Sequence, residues 1–100
     1  APRVPLFLRR AGEMPAGGGA LLFFSRATRA AARKTDKAEA AETTLTLSES
    51  GSTLEAAANL FEFLHRLEKQ NPARIYAELL PDEGLGAAVN DRLRRASSRP

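Results

Sequence analysis

Between Thr43 and Leu80 the chain reads strand, helix, strand, and that order leaves few folds open. Thr43 to Ser48 (Thr-Thr-Leu-Thr-Leu-Ser) alternates β-favouring residues, with Leu45 and Leu47 on one face. Glu49-Ser50-Gly51 turns the chain, and Ser52 with Glu55 three positions on forms a capping box that starts a helix. Ala57, Leu60, Phe61, Leu64 and Leu67 recur at helical spacing as one apolar stripe. Glu62 and Arg66 are placed to pair on the outer face, and Asn71-Pro72 stops the helix. Ala73 to Leu80 is a second strand, closed by Pro81. A strand, a long helix and a further strand make a right-handed βαβ crossover, which commits the sheet to parallel pairing and to helical cover.

The rest of the chain extends that unit. Asp82-Glu83-Gly84 leads into a last helix from about Leu85 to Ala96, with Leu85, Ala88, Val89 and Leu93 expected inward and Arg92, Arg94 and Arg95 towards its C-terminus, where the helix dipole favours positive charge. Upstream, Val4 to Leu8 is a short strand that Pro5 suits to a start or an edge. Ala20 to Ser25 (Ala-Leu-Leu-Phe-Phe-Ser) is an unbroken apolar run bounded by turn residues, expected as a strand buried on both faces. Gly12 to Gly19, with Pro15 and three consecutive glycines, is loop chemistry. A link of about a dozen residues is near the minimum for a parallel crossover, so an antiparallel pairing of the first two strands also stays open. From Arg26 to Glu42 the only apolar side chains are alanines; the expectation is a loop with some helix. The fold class is therefore α/β: a small Rossmann-like sandwich with a mostly parallel sheet of about four strands. The expected division is a linker end at residues 1–3, one domain over 4–96 and a tail at 97–100.

Composition closes several functional classes. With no Cys there is no disulfide framework, thiol nucleophile or thiolate metal ligand, which fits a cytoplasmic setting. No apolar run approaches a membrane span. The pI is near 10.0, yet the formal net charge is only +3, because little titrates between the carboxylates and the lysines. Arg26, Arg29, Arg33, Lys34 and Lys37 are followed by Glu39 and Glu42 and have no interleaved aromatics, so they read as a solvated face and direct nucleic-acid binding is not expected. His65, the single His, has no carboxylate or nucleophile beside it in sequence, and no cluster has metal-ligand spacing. Asp82, Glu83 and Asp91 suit capping and ion pairing better than paired-carboxylate catalysis. Gly84-Leu85-Gly86 at a strand-to-helix junction admits an anion-binding reading through Gly84 and Gly86. Against it, Val89 stands where the dinucleotide fingerprint needs Gly or Ala, and Asp82 and Glu83 bring negative charge. No catalytic residue and no metal site is assigned.

The second half resembles a known family as a whole. Leu47-Ser48 before the helix, Ala57-Ala58-Asn59-Leu60-Phe61 within it, Glu83-Gly84-Leu85-Gly86, and Ala88-Val89-Asn90-Asp91-Arg92-Leu93 at the end are similar to the C-terminal, or Sua-five, domain of two-domain YrdC-type L-threonylcarbamoyladenylate synthases. Ala1-Pro2-Arg3 followed by Pro5-Leu6 resembles the end of that family's interdomain linker. The resemblance implies a parent nucleotidyltransferase that uses ATP, with magnesium, to join L-threonine and bicarbonate into threonylcarbamoyl-AMP and pyrophosphate, for modification of adenosine 37 in tRNA. It places that reaction in an N-terminal YrdC-like domain, the partner expected for this chain, and gives this domain an accessory role without cofactor. The chain starts at Ala1 without an initiator Met and is expected to be a piece of that longer protein. The resemblance departs at Gly12 to Gly19, where a helix is usual, at the Arg26 to Glu42 insert, and at His65, where Arg is more familiar.

Overall fold

A computed structural model describes residues 4–11, 13, 19–33 and 43–97. Its elements are β1 (Leu6–Arg9), β2 (Ala20–Ser25), α1 (Arg26–Arg33), β3 (Thr43–Ser48), α2 (Thr53–Lys69), β4 (Ile75–Glu78) and α3 (Leu85–Ala96). The four strands form one sheet in the order β1-β4-β2-β3, and every neighbouring pair is parallel. The architecture is α/β, an all-parallel sheet with three helices packed against it.

β1 and β2 do not pair at all. β4, the last strand in sequence, lies between them, with Leu6↔Ile75 on one side and Ala20↔Ile75 on the other. The antiparallel option for the first two strands is thereby excluded. An apolar β4 whose Ile75, Ala77 and Glu78 are all buried belongs inside a sheet, not at its rim.

Pleating divides the side chains. Leu6, Leu22, Phe24, Leu47, Ile75 and Ala77 face α2 and α3, where Ala56, Leu60, Leu67, Val89 and Leu93 complete the main core. Leu21, Phe23 and Tyr76 face the other way, against Ala32 of α1. β2 is buried along its whole length, as its unbroken apolar run implies. The helix over 26–33 is a firmer element than the expected loop with some helix. Its start is fixed by a reciprocal turn, in which Thr28 N–H donates to Ser25 Oγ at 3.2 Å and Ser25 N–H to Thr28 Oγ1 at 3.1 Å. The remainder of that insert, residues 34–42, lies outside the described residues, as do 1–3, 12, 14–18 and 98–100.

Only half of the capping box forms. Ser52 Oγ accepts from Glu55 N–H at 3.1 Å, but the Ser52 N–H donates to Ser48 Oγ at 2.8 Å, not to the Glu55 carboxylate. At the other end the helix closes at Lys69, and Asn71, at a positive φ of 50°, donates to Glu68 O just before Pro72.

Candidate functional site

Two asparagines lock the helices to the strands. Asn59 Nδ2 donates to Leu47 O at 2.8 Å and so ties α2 to β3. Asn90, 1% exposed, accepts from Leu80 N–H at 2.8 Å and donates to Leu80 O at 2.9 Å. It stands in for a neighbouring strand just where β4 has run out of one. Its Nδ2 also lies 3.4 Å from Asp82 Oδ1. Both side chains carry the family resemblance, and their spacing alone did not disclose these roles.

The N-terminus of α3 is closely built. Gly84 has φ 55° and ψ −129°, a conformation that side chains avoid. At Gly86 a Cβ would sit 1.9 Å from Pro81 O, so the helix can approach the preceding loop only as glycine. Gly86 and Ala87 N–H both donate to Glu83 O, and Ala88 N–H to Gly84 O, which occupies three of the first amides of the turn. Asp91 pairs with Arg95 at 2.8 Å one turn along the same helix.

The apolar stripes sit rotated from their expected faces. On α2, Leu60 and Leu67 are buried, but Phe61 is 79% exposed. Ala56, one position earlier than the expected Ala57, is the fully buried alanine. On α3, Val89 and Leu93 are buried as expected, whereas Leu85 is 45% exposed and Ala88 is also exposed. Gly86 and Asn90 hold the inward positions, because α3 packs so close that only a missing side chain and a hydrogen-bonded amide fit there.

These displaced residues meet in one place. Phe61, Leu64, Leu85, Ala88 and Val89 line an open groove of about 1460 Å³ between α2 and α3, with Lys69, Arg92 and the exposed His65 around it. Val4, the first described residue, lines the same groove.

On the other side of the sheet the basic stretch is partly absorbed into the fold. Arg29 bonds to Thr46 Oγ1 and forks onto Glu49, at 3.0 Å from Oε2 and 3.2 Å from Oε1. Those bonds hold the Glu49 carboxyl below its ordinary value; desolvation opposes them, and the charges of Arg29 and Arg26 add to the lowering. Arg26 is exposed at the start of α1. Lys34 and Lys37 lie outside the described residues, as do Ala1 and Pro2.

One buried polar group gave no signal at the level of motifs. Glu78, 1% exposed, sits at the end of β4 with Oε1 accepting from Phe24 N–H at 3.0 Å and Oε2 without a partner. The hint available in sequence is a lone acid inside the apolar run Ile75-Tyr76-Ala77-Glu78-Leu79-Leu80. Among the described residues no three His, Asp or Glu side chains gather as a metal site, and no helix is long and apolar enough to cross a membrane.

Comparison with known proteins adds one finding. The family model described as threonylcarbamoyl-AMP synthase, C-terminal domain, matches residues 1–98. Searches of curated proteins and of solved structures returned no match. With the match running through both asparagine locks and the glycine-built start of α3, the chain belongs to the family of threonylcarbamoyl-AMP synthase C-terminal domains.

Proposed function

We propose that this chain is an accessory domain of a threonylcarbamoyl-AMP synthase, which joins ATP, L-threonine and bicarbonate into threonylcarbamoyl-AMP and pyrophosphate for modification of adenosine 37 in tRNA. The chemistry belongs to a YrdC-like catalytic domain that precedes it, with ATP and magnesium bound there, in a cytoplasmic protein. This domain positions the linker that covers the catalytic site. The observation that carries the reading is the match to a C-terminal domain over residues 1–98. A second feature agrees with it: an apolar groove lined by Val4 presents Phe61 and Leu85 outward. An exposed apolar surface of that kind marks a contact region, and contacts between domains of one chain are modest in area and partly polar.

The test is pyrophosphate release from ATP, threonine and bicarbonate by three proteins: the intact synthase, the synthase ending before Val4, and this chain alone. The accessory role predicts turnover by the intact protein, a clear loss in the shortened one, and none by this chain. Equal turnover with and without the domain would overturn it.

A further inference from the structure

β2 and β4 are neighbours, yet the helices that follow them part. The chain leaves β2 into α1, which packs on the face of Leu21 and Phe23, and leaves β4 towards α3, which packs with Leu6, Leu22 and Ala77 on the opposite face. In open α/β sheets, ligands bind in the crevice that such a divergence leaves beyond the carboxyl ends of the strands. Here the ladder between the two strands runs only from Ala20↔Ile75 to Leu22↔Ala77. Beyond it the Phe24 amide turns to the Glu78 carboxylate in place of a backbone carbonyl. A cleft of about 350 Å³ opens at that end, walled by Phe24, Leu79, Leu80 and Pro81.

The polar groups of the cleft are unevenly committed. Thr28 is engaged with Ser25, and Asn90 with Leu80 and Asp82. Arg10 and Arg94 also line the cleft, both exposed. Neither has an acidic partner among the described residues, in contrast to Arg29, Arg66 and Arg95, which are each paired. Two guanidinium groups against the single carboxylate of Asp82 leave the lining net positive. Guanidinium forks suit planar or tetrahedral oxyanions, and the apolar walls suit a hydrocarbon or ring body. The volume is at the small end of ligand sites, which start at about 300 Å³.

We propose that this cleft binds a small organic oxyanion, with its phosphate or carboxylate on Arg10 and Arg94 and its apolar body against Phe24, Leu79 and Pro81. The site is separate from the α2–α3 groove and does not depend on the role proposed for that groove.

The experiment is an amide-shift titration of this chain with phenyl phosphate, benzoate, inorganic phosphate and benzyl alcohol. Expected shifts centre on Thr28, Leu79, Leu80 and Asn90. One of the two aromatic anions binds at least about tenfold tighter than inorganic phosphate or benzyl alcohol, and which one it is separates a phosphate ligand from a carboxylate. Arg10→Gln and Arg94→Gln, both surface changes, each weaken that binding at least about fivefold. No shift at those residues with either aromatic anion at millimolar concentration overturns the proposal. So does binding that the double variant leaves unchanged while its far-ultraviolet dichroism shows an intact fold.

Discussion

Glu78 sets the sharpest test at the scale of a residue. Its Oε1 replaces a ladder carbonyl for the Phe24 amide, while Oε2 is buried with nothing to accept from. Burying a carboxylate without a full set of partners is costly, and a neutral amide costs less. Glu78→Gln keeps an acceptor for the Phe24 N–H, so it is expected to match or exceed the native stability, by about 1 kcal/mol. Glu78→Leu strands that N–H and is expected to cost about 2–3 kcal/mol. Urea midpoints with unchanged slopes measure both, and equal losses in the two variants would refute the account. Glu49 supplies a second residue-scale expectation. Its carboxyl is lowered from 4.5 by the bonds from Arg29, so its folded value lies below its unfolded one. The stability it contributes is therefore present above the unfolded value and is lost as pH falls through the folded value. A carboxyl carbon titration should find Glu49 protonating at lower pH in the native chain than in Arg29→Gln. Coincident curves would mean the fork does not persist in solution.

Among the elements, α3 shows what decided its orientation. Gly86→Ala would place a Cβ 1.9 Å from the Pro81 carbonyl, and backbone must shift to admit it. The expected cost is about 1–3 kcal/mol, as for other overpacked sites. Asn90→Ala removes both bonds to Leu80 and leaves two buried backbone groups unsatisfied, for a loss of about 2–4 kcal/mol. Thermal or urea unfolding of the two variants checks these values; an Asn90→Ala chain as stable as the native one would show that water replaces the bridge. The same element shows where sequence reasoning reached its limit. The strand at Ala20–Ser25, the capped helix and the βαβ order were legible because periodicity, capping and turn residues are local signals. The placement of β4 between β1 and β2 was not, since strand order depends on contacts distant in sequence. Leu85 and Ala88 were expected inward from helical spacing alone, which weighs apolar residues and overlooks that a glycine and an asparagine can hold the buried face. Phe61 fell outside for the same reason: spacing marks a broad stripe on α2, and only packing decides which edge of it is covered.

The domain as a whole leaves Phe61 with little to do for its own stability. At 79% exposure its ring gives up little contact when replaced, and surface substitutions of this kind usually change stability by no more than about 0.5 kcal/mol. Phe61 shares the α2–α3 groove with Val4, and under the accessory role proposed above that groove is the surface that meets the catalytic domain. Phe61→Asp should therefore separate two properties that a core residue would lose together. Unfolding of this chain by urea is expected to be unchanged within that margin, while pyrophosphate release by the intact synthase falls several-fold, approaching the protein that lacks the domain. Leu60→Asp, its buried neighbour, provides the contrast, because a charge in the main core should unfold the chain itself. Parallel losses of stability for both variants would place Phe61 in the fold after all. Full activity with Phe61→Asp in a synthase that needs the domain would move the contact to another surface.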